Sequence, residues 1–298
     1  MKALKGNLAL LLTAMIWGSA FVAQSIGGES LPPIAFNGIR TLFGGFVLMP
    51  VIALLQRGKK EKRKPTQEEK KQLLWGGLLC GMALFLGSTT QQMGLMYTTA
   101  GKSGFITAMY VVLVPVMGLF FKKRPGILVW IGVAIAAVGL YLLCINETLT
   151  LNKGDVLTLL CAFFFTGHIW LVDHFAAKVD GIRLSCAQFF VAGLIGCILM
   201  SFFEEVTLQG VRGALPSILY TGIFSCGIAY TLQIVGQKYT APTVASLLMS
   251  LESVFAVLSG WLILDERLSL REAAGCTLMF AAIVLAQLPQ KRKGKQDE

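Results

Sequence analysis

Charged residues are scarce in this chain. Of its 298 residues 14% are charged and 55% hydrophobic, against about 25% and about 45–50% in soluble domains. That balance excludes a water-facing domain for most of the length. Histidine is rarer still, with two residues, and the chain has no HExxH pattern, no CxxC pair and no glycine-rich phosphate loop. Zinc-protease, dithiol and nucleotide-cradling chemistries lose their sequence basis with them. The seven cysteines, at positions 80, 144, 161, 186, 197, 226 and 276, are odd in number and lie in or at the ends of apolar stretches. They read as small packing residues, not as a disulfide frame or a metal site. His168, Asp173 and His174 are the remaining candidate ligand set. On a helix, positions five and six beyond His168 are rotated by about 140° and about 240°, so the three share no face. No metal and no cofactor is called for.

What the chain has is length of apolar run. A spanning helix needs about 20 mostly apolar residues, since the hydrocarbon layer is about 30 Å thick and each residue rises 1.5 Å. Ten blocks meet that need: Leu8–Ile26, Ile34–Leu55, Leu73–Gln92, Ser103–Phe121, Ile127–Ile145, Asp155–Val172, Leu184–Phe203, Leu215–Gly236, Ala241–Leu264 and Leu270–Leu288. The longest hydrophilic stretch, Gln56 to Gln72, is a loop. The first block follows basic residues like a signal peptide, but it lacks a small-x-small cleavage site and reads as a retained span.

The net charge of +10 raises nucleic acid as a partner, and the distribution of charge removes it. With ten crossings and a cytoplasmic N-terminus, the inside segments hold 20 Lys/Arg and the outside segments five, with Arg40 inside a span. A fourfold excess on one side is the positive-inside pattern. The Lys59–Lys64 run therefore reads as topology and lipid headgroups.

The chain repeats itself. Shifted by 142, Thr89–Gly118 falls on Thr231–Gly260 with seven of 30 positions identical, among them Gln91/Gln233, Gly94/Gly236 and Tyr97/Tyr239. Shifted by 148, Leu11-Leu12-x-Ala14 falls on Leu159-Leu160-x-Ala162. Blocks 1–5 thus repeat as blocks 6–10. Five is odd, so the second copy enters the membrane from the opposite side. The fold class read from the sequence is an all-α integral membrane protein with ten transmembrane helices as two inverted five-helix repeats. Residues 6–145 and 153–288 are the repeats, 56–72 a basic loop and 289–298 a basic tail. Inverted repeats commonly hold a substrate site near the midplane between them.

Local signals agree with the blocks. Pro32-Pro33, Pro125 and Pro242 stand where helices begin, and Thr66-x-x-Glu69 and Ser269-x-x-Glu272 are capping boxes. Pro115 is interior to its block and bends it. Small residues four apart, such as Gly77/Gly81, Gly132/Ala136 and Gly222/Cys226, let backbones approach closely in lipid.

Polar residues inside the blocks are the candidate site. Glu252 lies eleven residues past Ala241, about 16 Å along a helix, and a charge there costs roughly 2.5–3.5 kcal/mol on insertion scales. It either faces a cavity or is a protonated packing residue. Arg40 lies in the second block and either serves the path, pairs structurally or snorkels to headgroups. Tyr230 and Gln233 share a helix face. Gln91 and Gln92 are their partners in the repeat. His168 and Trp17 with Ser19 come from corresponding blocks six and one. Tyr110 stands 142 residues before Glu252. For each Gln, Tyr or Trp, interhelical hydrogen bonding is the ordinary alternative. The sequence leaves open whether Arg40 and Glu252 meet.

Three stretches carry a family resemblance. Tyr97-Thr98-Thr99-Ala100-Gly101-Lys102-Ser103-Gly104-Phe105-Ile106-Thr107-Ala108-Met109-Tyr110-Val111-Val112-Leu113-Val114-Pro115 resembles the helix 3–4 signature of bacterial EamA-type transporters of the drug/metabolite transporter superfamily. Ala14-Met15-Ile16-Trp17-Gly18-Ser19-Ala20-Phe21 is similar to that family's first helix. Leu251-Glu252-Ser253-Val254-Phe255-Ala256, Gly260-Trp261 and Asp265-Glu266-Arg267-Leu268 are similar to its ninth helix and the turn after it. The resemblance implies two five-helix units, cytoplasmic termini in a bacterial inner membrane, a central cavity, and movement of small metabolites, often outward, with amino acids and related compounds prominent. It makes Glu252 the family's helix 9 glutamate and Arg40 its helix 2 arginine. Many relatives have proline after that glutamate. Here Ser253 stands there, so the residue that would kink the helix is absent, and its hydroxyl is a candidate substrate hydrogen bond.

The expected activity is alternating-access transport of a small metabolite across the lipid bilayer. Glu252 is the coupling or cation-binding group, with protons as possible partners, and Arg40 the anion-binding or gating group. A non-transporting scaffold or sensor needs an output domain and an intramembrane enzyme needs a catalytic cluster, and neither is present in the sequence. Oligomeric state is left open.

Overall fold

A backbone surrounded by hydrocarbon must satisfy its own hydrogen bonds, and a helix does so within one segment. The computed structural model describes residues 2–57, 65–98, 100–123, 125–144, 152–263 and 269–288, and among them every regular element is helical. In order these are α1 (Lys2–Ser30), α2 (Pro33–Arg57), α3 (Gln67–Leu95), α4 (Ala100–Ala108), α5 (Tyr110–Phe120), α6 (Ile127–Cys144), α7 (Lys153–Ala176), α8 (Gly181–Phe203) and α9 (Leu208–Tyr220). A π-helical segment, Thr221–Tyr230, follows, then α10 (Thr231–Gln237), α11 (Pro242–Met249), α12 (Glu252–Ile263) and α13 (Leu270–Gln287). Eight stretches are long and apolar enough to cross a membrane, counting α4–α5, α9–π–α10 and α11–α12 as one each. Two shorter apolar helices, Ile127–Leu142 and Ala273–Ala286, lie within α6 and α13, which pack along each other.

The helices overrun the apolar blocks at their ends. α2 reaches Arg57 and α3 starts at Gln67, so the Gln56–Gln72 loop is shorter than its polarity suggests. The cause is the capping box: Glu69 N donates to Thr66 Oγ1 at 3.1 Å and Thr66 N to Glu69 Oε2 at 2.8 Å, which sustains a helical turn of polar residues. The Lys59–Lys64 run, Asp265–Leu268 and the tail from Lys291 lie outside the described residues, as does the side chain of Glu272.

Three spans are interrupted. Between α4 and α5 the Met109 amide bonds back three residues to Ile106. Between α11 and α12 the Leu251 amide bonds to Leu248 and the Ser253 amide to Ser250. The ninth block is therefore broken without proline. Ser246 and Ser250 hydroxyls bond the carbonyls three residues earlier, and Ser253 Oγ donates to Gly104 O of α4 at 3.0 Å; such hydroxyls compete with the helical ladder. The π segment widens the third interrupted span, and π turns are frequent at functional sites.

Helices interlock across the chain. α1 packs on α9 through α12, and α7 packs on α3, α4 and α5. Close approach requires glycine at two places in particular. A Cβ at Gly154 of α7 would lie 2.7 Å from the Gly94 carbonyl oxygen and 2.9 Å from Tyr97 Cβ, and one at Gly6 of α1 would lie 3.0 Å from the Gly236 oxygen and 3.1 Å from Tyr239 Cβ. The first set differs from the second by 148 in α7/α1 and by 142 in α3/α10 and the turns that follow. Beside them Thr98 Oγ1 donates to Asp155 Oδ1 at 3.3 Å and Thr240 Oγ1 to Asn7 Oδ1 at 3.0 Å, at the same two offsets. Gly77, Gly81 and Gly132 likewise sit against Ala187, Val191 and Ala282.

Candidate functional site

The interrupted helices meet at the centre. Tyr110 is the first residue of α5 and Glu252 the first of α12. Both are buried, and Tyr110 Oη donates to Glu252 Oε1 at 2.9 Å. Positions 142 apart in the sequence are thus in direct contact. They line a central cavity with Arg40 of α2, Gln91 of α3, His168 of α7 and Gln233 of α10. Trp17 of α1 and Tyr230 at the end of the π segment close one wall, ring centroids 4.6 Å apart. The cavity is narrow: about 30 Å³ admits the centre of a water-sized sphere, room for about two waters.

Arg40 is positioned from α3. Asn37 Nδ2 donates to Ser88 Oγ at 2.9 Å and to Thr89 Oγ1 at 2.8 Å, and Asn37 Oδ1 accepts from Arg40 Nε at 3.2 Å. The guanidinium also lies 5.6 Å from the centroid of the Phe36 ring. Arg40 is 3% exposed, and among the described residues it forms no ion pair. Arginine stays charged at any physiological pH. A positive charge therefore stands in the cavity without a carboxylate bonded to it, and it does not pair directly with Glu252.

Other cavity atoms also lack partners. Among the described residues Trp17 Nε1, Gln24 Oε1, Gln233 Oε1 and His168 Nδ1 are buried with no hydrogen bond. His168 Nε2 meets Gln188 Oε1 at 3.0 Å, and Gln91 Nε2 donates to Thr107 Oγ1 at 3.1 Å. Buried polar groups are ordinarily paired, so a cavity wall of donors and acceptors without mates is suited to a polar guest.

Not every candidate from the sequence lines this cavity. Gln92 lines a second chamber of about 260 Å³ at the ends of α1 and α3, with Glu29 and Gly28, and its Nε2 donates to Gln24 O at 3.0 Å. Ser19 bonds Tyr220 Oη at 2.6 Å, and Ser253 is committed to Gly104. Sequence reasoning missed Gln24, which lines both spaces, and Asn37 and Gln188, which hold Arg40 and His168. Each is an uncharged polar residue in an apolar block, without the repeat partner that singled out Gln91. Ser225 and the apolar Phe21, Phe165, Ile169 and Met249 complete the lining.

A multi-pass helical protein with a narrow central cavity, lined in part by charged and polar side chains at broken helices, has the build of a membrane carrier. The EamA-like transporter family model matches the chain twice, over residues 4–145 and 152–288, and the chain belongs to that family. It is 32% identical over 292 residues to an uncharacterized transporter of Archaeoglobus fulgidus, covering 96% of this chain and 87% of that one. It is 27% identical over 293 residues to the uncharacterized inner membrane transporter YedA of Escherichia coli, covering 94% and 90%. A solved crystal structure shares the fold at TM-score 0.77 and 18% identity, covering 95% of this chain and 96% of that one.

Proposed function

We propose that the chain moves a small metabolite, an amino acid or related compound, across the inner membrane by alternating access, in the outward direction. Ten crossings, with α6 and α13 as the two short ones, arrange residues 6–145 and 153–288 as inverted five-helix repeats. Residues 56–72 and 289–298 lie with both termini in the cytoplasm, as the twenty-to-five bias of Lys/Arg argues. The matched contacts of Gly154 and Gly6, and of Thr98 and Thr240, support the repeat. The observation that carries the reading is the Tyr110–Glu252 contact beside an Arg40 with no ion-pair partner among the described residues, in a cavity too small for a metabolite. A guest enters only if helices move, and it meets one fixed cation and one titratable carboxylate.

In this reading Arg40 binds the anionic group of the substrate. Glu252 carries a proton or the substrate's cationic group, with Tyr110 as its hydrogen-bond donor. Gln91, Gln233, His168, Tyr230 and Trp17 line the path, with Gln92 in the outer vestibule and Ser19 and Ser253 holding helix positions. The substrate leaves chemically unchanged. The test begins with a metabolite comparison of cells overexpressing and lacking the protein, followed by counterflow of the most altered compound in proteoliposomes. Glu252→Gln keeps an acceptor for Tyr110 and removes the titration, so transport slows and its pH dependence flattens. Unchanged rate and pH dependence overturn the coupling role.

A further inference from the structure

Another cavity shares no lining residue with the central one. The ends of α2 and α7 and the starts of α3 and α8 enclose a chamber of about 810 Å³, lined by Lys70, Lys178, Arg183 and Lys238 together with Glu69 and Asp180. Both carboxylates serve helix starts: Asp180 Oδ1 accepts from the amides of Ile182 and Arg183, and Glu69 Oε2 from Thr66 N. Among the described residues none of the four cations is in an ion pair; Lys178 Nζ is hydrogen-bonded to His174 Nε2 at 2.6 Å and lies 5.7 Å from the Phe175 ring centroid. The chamber is thus concave and net cationic, with Leu54 and Leu55 as an apolar side.

The chamber continues into a groove. Lys70 and Leu73 line both, and beyond them Leu74, Leu78, Ala187 and Val191 line about 500 Å³ between α3 and α8 with almost no polar surface. From Leu73 to Leu78 the helix rises about 7.5 Å, about half the ~15 Å depth of one leaflet. Leu74 is 71% exposed and Trp75 49%, and an interfacial tryptophan marks the headgroup level. A basic chamber joined to an apolar slot matches an amphiphile, anionic at one end and aliphatic at the other. Basic pockets between spanning helices bind anionic headgroups in this manner.

We propose that this chamber and groove bind one anionic phospholipid, its phosphate held by Lys178, Arg183 and Lys238 and one acyl chain lying between α3 and α8. The test uses the full chain in neutral detergent, titrated with phosphatidylglycerol, with phosphatidylcholine of the same chains, and with glycerol phosphate, followed by thermal shift and native mass spectrometry. Phosphatidylglycerol binds saturably and raises Tm, and the other two do not. Lys178→Gln/Arg183→Gln/Lys238→Gln weakens binding about fivefold per charge, about 100-fold in all. Leu74→Asn/Leu78→Asn, on exposed positions, weakens it with the chamber intact. Lys5→Gln/Lys71→Gln/Lys122→Gln removes three exposed charges outside the chamber and leaves affinity within about threefold. Equal effects of phosphatidylcholine, equal effects of glycerol phosphate, or equal losses in the two triple variants each overturn the proposal.

Discussion

Arg40→Gln separates stability from transport. Among the described residues the buried Arg40 guanidinium makes one hydrogen bond, from Nε to Asn37 Oδ1, and lies over Phe36. A bond to a charged group contributes about 1.5–3 kcal/mol and a desolvated cation–π contact about 2 kcal/mol. Against these stands the desolvation of an ion that forms no described ion pair, several kcal/mol after relaxation. Glutamine carries its Nε2 donor on Cδ, as Arg40 carries Nε, so it keeps a donor for Asn37 and removes the ion. The opposing contributions nearly cancel, so the variant folds within about 1 kcal/mol of wild type, about 4 °C in Tm or less. Transport behaves differently. Losing the partner of a buried charge costs at least about 2 kcal/mol in binding, a factor of about 30, and counterflow falls toward the level of empty liposomes. Unfolding is read by a thiol-reactive dye, since Cys80, Cys161 and Cys226 are free and buried. A fall in Tm of about 10 °C or more, as when a buried ion pair is broken at about 3–5 kcal/mol, refutes the reasoning and assigns Arg40 a structural pairing.

Two glycines of the same bundle respond oppositely to a side chain. A Cβ at Gly94 would overlap Thr158 Oγ1, so Gly94→Val forces α3 off α7 and costs about 1–3 kcal/mol or more by detergent melt. A Cβ at Gly167 meets nothing within 4 Å, and Gly167→Ala raises stability by about 0.5–1 kcal/mol. Asp155 accepts from Lys102 Nζ at 2.7 Å, from Thr98 and from Asn152 N, with its side chain fully buried. Asp155→Ala removes the helix cap and the Lys102 pair together and lowers stability by about 1–3 kcal/mol, read as a fall in Tm by detergent melt.

The spans were legible because hydrocarbon thickness demands long apolar runs, and that demand leaves a mark in every block. Their ends were less so. The first turn of α3 is polar and stays helical through Thr66 and Glu69, outside the reach of a hydropathy criterion. The breaks were hidden for another reason. Proline is the visible signal for a kink, and the α11–α12 break is made by three-residue amide bonds and serine hydroxyls. Glu252 and Arg40 stood out as charges at depth. Tyr110 was legible only through the 142-residue offset, since nothing else marks a tyrosine as the mate of a glutamate. Ser19 and Ser253 point into neighbouring helices, Tyr220 and Gly104, and such choices depend on which element lies alongside, which a single sequence does not encode locally.

The contact between Tyr110 and Glu252 sits where a two-fold axis relating the proposed halves would pass. Two separate identical chains meeting there would each present the same residue. Glutamate would face glutamate, two carboxylates competing for one proton, or tyrosine would face tyrosine, with neither hydroxyl distinguished as donor. Isologous contact imposes that sameness. Joining the copies in one chain lifts it, because each can diverge where they touch. The axis then holds one carboxylate and one hydroxyl, with the donor and the acceptor each assigned. A carrier built this way would have a head and a tail at its centre even where rotation brings its two proposed halves into the same layout.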